Sequence, residues 1–198
     1  MATCLAFDTS QAACVAALIH DGHTTTRVEE MARGQAERLV GMLEEMLADA
    51  GVGWNDLDVI GVGIGPGNFT GIRISVAAAR GVAMALNIPA VGVSTFEAVA
   101  GDSALPCWVA VPAPRDQAYL QHMQPSGEST PELVPVEALD GLDASLKRLD
   151  DIAPQTRITT IARLAMARRY QTKARPAPLY LRAADAAPAR DAPPVILP

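Results

Sequence analysis

The chain has 198 residues, 49% of them hydrophobic and 19% charged, with a formal net charge of −6. That length and apolar content suit one substantial domain or two small ones around a buried core, and exclude a disordered chain. Aromatics at 4% and a pI of about 5.0 argue against a base-stacking platform or a whole-molecule field that attracts phosphate backbones.

The first predicted element is the apolar run in "TCLAFDTS", a strand ending in the turn formers Asp8, Thr9 and Ser10. "ACVAALIHDGHTTTRVEE" follows, and Asp21-Gly22 between two strand-like runs predicts a tight hairpin, because such turns need positive φ at both central positions. Over "GQAERLVGMLEEMLADAG", Ala36, Leu39, Val40, Leu43, Met46, Leu47 and Ala50 recur at offsets of three and four, the stripe of an amphipathic helix. "LDVIGVGIG" reads as a buried strand parallel to the first. A second helix is predicted over "FTGIRISVAAARGVAMALN", with Thr70 as N-cap and Asn87-Ile88-Pro89 as the stop. "PAVGVS" is a further buried strand, and Ser94-Thr95-Phe96-Glu97 a capping box opening a short helix to Gly101. Three antiparallel strands and then alternating helices and parallel strands is the ribonuclease H-like order. It also underlies one half of the actin, Hsp70 and sugar-kinase architecture.

The second half carries weaker signals. "CWVAVPA" and "QAYLQHM" predict strands, with Pro112 and Pro114 placing the end of the first at an edge. Residues 124–155 show no strong period, "RITTIARLAMARRY" predicts a helix, and "PLYLR" a last short strand. The expected organisation is a first lobe over 1–103, a reduced second lobe over 104–182 whose helix packs back on the first, and a flexible tail over 183–198. Cys4, Cys14 and Cys107 are odd in number and lack CxxC spacing, so neither a disulfide frame nor a zinc site is expected. "MATCLAFDTS" has no basic leader before a long apolar stretch, and no window approaches ~18 uninterrupted apolar residues. The expectation is a soluble, cytoplasmic protein.

The loop "GIGPGNFTGIRIS" lies between a strand and a helix and has two readings. As a phosphate cradle it lacks the Lys and Ser/Thr of a P-loop after Gly71, and Pro66 removes a backbone donor. As a turn, it needs positive φ at Gly65 or Gly67 and a small residue at Gly71 for close packing. His20 and His23 flank the Asp21-Gly22 turn, and His122 stands apart, a poor basis for a metal centre. Between residues 152 and 184, Arg157, Arg163, Arg168, Arg169, Lys173, Arg175 and Arg182 occur with no acid. The segment reads either as a nucleic-acid-facing strip or as a solvated face balancing acidic neighbours.

"GPGNFTGIRIS" closely resembles the GPGSFTG(I/V)RI signature of the TsaB (YeaZ) family, which takes part in making N6-threonylcarbamoyladenosine on tRNA next to the anticodon. "LAFDTSQAACVAAL", "RGQAERLVGML", "IPAVGVSTFEAVA" and "PAPLYLR" are similar to other family segments, densely over residues 3–100 and sparsely afterwards. The chain departs at Asn68, Gln35 and Gly41, where Ser, His and Pro are common. In "VPAPRDQAY" it has Pro112, Pro114 and Gln117 for a family Asp, Arg and Glu, while Arg115 and Tyr119 remain. The resemblance implies an actin-like fold and a non-catalytic partner that binds and activates the TsaD threonylcarbamoyltransferase, with no cofactor or metal of its own. A TsaE-like ATPase belongs to the same complex, the chain alone is a homodimer, and contact with tRNA is indirect or weak.

The resemblance also implies roles for residues. Gly65, Pro66, Gly67, Asn68 and Gly71 form a structural turn. The two long helices form the partner interface, with Gln35, Glu37, Leu39, Met42, Leu43, Met46, Arg73 and Arg80 expected on it. Asp8, Thr9 and Ser10 stand where active actin-like relatives hold magnesium and phosphate, and read as a vestigial nucleotide site or a simple turn cap. The rival readings are a small actin-like ATPase or kinase using Asp8 and the Gly65–Gly71 loop, and a glycoprotease-like peptidase, for which no Ser-His-Asp order is present.

Overall fold

The computed structural model describes residues 2–142, 145–172 and 174–181. Five strands form the first sheet: β1 (Cys4–Asp8), β2 (Ala13–His20), β3 (His23–Glu30), β4 (Val59–Gly63) and β5 (Ala90–Val93). Their order is β3-β2-β1-β4-β5, with β1 antiparallel to β2 and parallel to β4. The hairpin turn has Asp21 at φ 48° and Gly22 at φ 79°, the two positive angles a twist-matched two-residue turn requires.

Both faces of this sheet are covered, so its central strand is apolar on both sides. On β1, Leu5 and Phe7 point to one core, and Cys4 and Ala6 to the other. The first face carries α1 (Gln35–Asp49) and α2 (Phe69–Leu86). Of the predicted α1 stripe, Leu39, Leu43, Met46 and Leu47 are buried and Met42 joins them, whereas Ala36, Val40 and Ala50 are exposed. The opposite face carries α4 (Pro154–Arg168), which buries Ile158, Ile161, Ala162 and Ala165 against β1, β2, β4 and β5. The last described helix thus returns from the second half of the chain to close the first sheet. By length and composition alone α2 is apolar enough to cross a membrane, with a mean hydropathy of 1.3. Its Ile72, Val76, Ala79 and Ala83 are nevertheless packed on the sheet, and Arg73 and Arg80 interrupt its run.

The short helix α3 (Thr95–Ala100) begins with the expected capping box: Ser94 Oγ accepts from Glu97 N, and Glu97 Oε2 accepts from Ser94 N. Phe96, Val99 and Ala100 pack on a second sheet. That sheet joins β6 (Cys107–Ala113), β7 (Gln117–Gln124), β8 (Gly127–Glu128), β9 (Glu132–Pro135) and β10 (Leu146–Arg148). β10 pairs only with Trp108 to Ala110 of β6, so on that side Pro112 lies beyond the pairing, while on the other it stands opposite Ala118 of β7. β8, β9, β10 and three short 3-10 helices are elements that sequence periodicity did not indicate. The expected strand in "PLYLR" does not form. Its described residues run alongside the first lobe and make one backbone bond, Leu179 N to Ile64 O at 2.8 Å. Lys173, Arg182 and the 183–198 tail lie outside the described residues.

Candidate functional site: the turn after the first strand and the two long helices

Two places were singled out by the sequence, and the glycine loop connects them. After β1 the chain turns through Asp8, Thr9 and Ser10. Asp8 Oδ1 accepts from Ser10 N at 2.8 Å, and Oδ2 accepts from Ser10 Oγ at 2.9 Å. That is a carboxylate folded back on its own turn. The loop after β4 then crosses this turn at contact distance. Asn68 N donates to Ser10 O at 2.7 Å, and Thr9 Oγ1 donates to Gly71 O at 2.6 Å. A Cβ on Gly71 would lie 1.9 Å from Thr9 O, so only glycine fits. Gly65 has φ 94°, while Gly67 does not need a positive angle. Beyond the loop, Thr95 N and Oγ1 donate to Gly65 O and Pro66 O, each at 2.8 Å. The close approach foreseen at Gly71 is real, but its neighbour is the β1–β2 turn.

The N-cap of α2 is Asn68, not Thr70. Asn68 has extended backbone (φ −62°, ψ 123°), and its Oδ1 accepts from Gly71 N at 2.9 Å. The physical reason is reach, since an Asn side chain meets the N–H three residues on. One amide that a phosphate cradle would present is thereby occupied.

Asp8 itself is partly buried. Burial pushes its carboxyl above the usual carboxylate range, opposed by the Ser10 N–H and hydroxyl and then by the Arg157 charge. Only about 10 Å³ of space remains beside it, lined by Gln11, Pro154, Arg157 and Ile158 among others. Nucleotide-sized sites are of order 300–1,000 Å³. Arg157 is held there by donating to Leu149 O and Ile152 O. α4 thus lines the small space beside Asp8, whose carboxylate bonds within its own turn.

On α1 the structure corrects half of the expected interface. Leu39, Met42, Leu43 and Met46 are at most 2% exposed. They share one stripe with Leu47, and that stripe faces the sheet. They are core residues, and an acidic replacement at Met42 or Met46 would disrupt folding rather than docking. Gln35 is half-buried and donates to Met31 O, and Glu37 is exposed. The outward face instead offers Val40 (47% exposed), Met84 (74%), Ala77, Gly81 and Ala85, none of which except Val40 falls on the predicted α1 stripe. Arg80 is exposed at that face. Arg73 is spent locally: its guanidinium lies 3.8 Å from the Phe69 ring centre and donates to Tyr180 Oη at 2.8 Å, pinning the C-terminal segment to α2. Residues missed by sequence reasoning hold α1 on β3. Arg38 bonds Glu29 and Glu45, and Arg27 bonds Glu45 and Asp49.

Four members of the basic strip are engaged within the fold. Arg163 pairs with Asp102, Arg168 pairs with Glu97 of the capping box, and Arg157 and Arg169 donate to backbone carbonyls. The three cysteines are buried and free, with burial pushing Cys4 up to about 12 and Cys14 to about 11. His20 Nδ1 lies 3.0 Å from Thr3 Oγ1. Among the described residues no three His, Cys, Asp or Glu side chains gather where a metal would need them.

A family described as "TsaD: tRNA N6-adenosine threonylcarbamoyltransferase" matches residues 26–184. The tRNA threonylcarbamoyladenosine biosynthesis protein TsaB of Haemophilus influenzae is 39% identical over 98 residues, 50% of this chain and 42% of that protein. Its Escherichia coli counterpart is 36% identical over 96 residues, again 42% of its length, so the matched stretch spans less than half of these relatives. An uncharacterized protein of Mycobacterium tuberculosis is 32% identical over 203 residues, 95% of each chain. The solved structure of YeaZ from Pseudomonas aeruginosa superposes with a TM-score of 0.72 at 28% identity, covering 91% of this chain and 100% of that one. The fold is accordingly the ribonuclease H-like, actin-like arrangement read from the strand order, and the chain belongs to the TsaD family as that match defines it and, within it, to the TsaB (YeaZ) proteins.

Proposed function

We propose that the chain serves in tRNA threonylcarbamoyladenosine biosynthesis as a non-catalytic partner that binds and activates a TsaD-like threonylcarbamoyltransferase. The observation that carries this reading is the outward face of the two adjacent helices. Val40 and Met84 are large apolar residues held in solvent, beside the small Ala77, Gly81 and Ala85, with Glu37, Glu44 and Arg80 around them. Small residues let a second pair of helices approach closely, a methionine adapts to its partner, and charges at the rim set register. The same face pairs with a second copy when the partner is missing. A TsaE-like ATPase joins the complex, and the chain touches tRNA weakly or through its partners. A partner that binds only the active arrangement raises that arrangement's population by its differential affinity.

Co-purification with a TsaD-like protein tests the assignment. Val40→Asp and Met84→Asp, both on exposed positions, are expected to abolish capture and the gain in threonylcarbamoyl transfer while leaving the far-ultraviolet circular dichroism unchanged. Full capture and activation by the double variant would remove the α1–α2 face from the reading. Threonylcarbamoyl transfer by the chain alone would remove the non-catalytic role.

A further inference from the structure

We propose that the C-terminal end of α2 borders a second, independent site: a cleft that binds the phosphate of a nucleotide, free or within an RNA strand, between two unpaired arginines. The cleft has a volume of about 510 Å³ and lies between α2 with its following turn and the residues Thr172, Ala174, Arg175 and Pro176. Arg80 and Met84 form one wall and Thr172 and Arg175 the other, with Ile88 and Pro89 between them. Its volume is in the range of small-molecule sites, and it has their composition, apolar walls with a few convergent polar groups.

The charge pattern identifies the ligand. No carboxylate is among the described residues lining the cleft, on a chain whose net charge is −6. Four of the arginines in the basic segment are engaged by Asp102, Glu97 or backbone carbonyls. Arg80 and Arg175 make no hydrogen bond or ion pair among the described residues, and both line this one cavity. Two guanidinium forks suit a tetrahedral oxyanion with several acceptor oxygens better than a single carboxylate, which one fork satisfies. Thr172 and Asn87 add a hydroxyl and an amide at the same cleft. The apolar surface of Met84, Ile88 and Pro89 calls for a ligand with an organic body as well as a phosphate.

One feature works against an anion and sharpens the assignment. α2 ends here, at Asn87, and helix C-terminal carbonyls carry a partial negative charge. Binding must then come from the arginines, and without them the local field repels a phosphate. The inference does not depend on docking to a TsaD-like protein. Arg80, Gly81 and Met84 border both the docking face and the cleft, whereas Arg175 lies on the cleft and outside that face, so the effect of Arg175→Gln separates the two.

The experiment titrates the purified full chain with adenosine monophosphate, followed by amide chemical shifts, and with a short fluorescein-labelled single-stranded RNA, followed by anisotropy across a salt series. Saturable binding of at least one probe is expected, with shifts centred on Ile88 and Thr172. Arg175→Gln should weaken it about tenfold, the loss of one charge-assisted contact, and the Arg80→Gln/Arg175→Gln pair should abolish it. Asp8→Asn should leave it unchanged. For RNA, two phosphate contacts give a slope of log affinity against log salt of about −1.4, falling to about zero in the double variant. Adenosine monophosphate binding with this arginine dependence assigns a free nucleotide, and RNA binding alone assigns a nucleic-acid strand. Binding of neither probe, or binding that survives in the double variant, overturns the site.

Discussion

The two ends of α2 face opposite fates. At its N-terminus the chain closes on itself: Asn68 caps the helix, Ser10 O and Thr9 Oγ1 hold the loop, and Phe69, Arg73 and Tyr180 pin the C-terminal segment across it. At its C-terminus the helix stops at Asn87 in the left-handed conformation, with Met84 in solvent and an open cleft alongside. The glycine-rich end looks like a ligand site in sequence and is filled by protein. The end with no motif keeps its donors free. Glycines mark where something approaches the backbone closely, and folding decides whether that is a phosphate or another turn of the same chain.

The sealed end can be broken most severely at Gly71. Thr9 O would stand 1.9 Å from an added Cβ, and that atom is backbone, tied by its own turn. Overpacking of this kind costs about 1–3 kcal/mol when side chains can yield, and more when backbone must move. Gly71→Ala is therefore expected to lower the stability read from urea unfolding by about 3 kcal/mol or more. A loss below about 1 kcal/mol would mean that the two turns separate easily and that the loop is not held shut. A smaller effect is expected at the cap. Asn68→Ala should cost about 1 kcal/mol, and Asn68→Ser, which keeps an acceptor for Gly71 N, should recover most of it. Equal stability of the alanine and wild-type chains would place the cap elsewhere.

How much of this was legible in the sequence follows the reach of each interaction. The α1 stripe and the Asp21-Gly22 turn depend on residues a few positions apart; the turn formed as read, and the stripe formed in part, with Met42 added and Ala36, Val40 and Ala50 left in solvent. The cap was misplaced by two residues because Asn68 and Thr70 are both capping types, and only the geometry of the incoming loop selects between them. Met42 and Met46 were visible as members of the same stripe as Leu39, Leu43 and Leu47. Treating them as a docking surface set aside the periodicity that had identified the helix. The basic segment looked unopposed because its partners Glu97 and Asp102 are distant in sequence from Arg168 and Arg163. Residues 124–155 formed strands of two to four residues and 3-10 helices of three and six residues, too short to establish a period. The hydrogen bonds of Asp8 to Ser10 are local and could be foreseen from the Asp-Thr-Ser turn, but nothing local announced that α4, some 150 residues later, would pack beside it.

The smallest expected effect tests whether that packing acts on Asp8. Burial is the largest influence on its carboxyl and raises the pKa, while the Ser10 bonds and Arg157 only oppose it. In the unfolded chain the group titrates near its ordinary value of 3.8. The native state therefore binds the proton more tightly than the unfolded state, and stability from this group is fully present below that value. It is lost as pH rises through the higher native pKa. Asp8→Asn keeps an acceptor for Ser10 N and carries no charge to bury. Its stability should thus gain on the wild type as pH increases from about 4 towards neutrality and then stay ahead by a constant amount. Urea midpoints across that interval measure the gap directly. Curves that remain parallel would mean that Ser10 and Arg157 together fully offset the burial. The carboxylate would then be held ready in its charged form, as a phosphate-and-magnesium site requires and as a self-bonded turn does not.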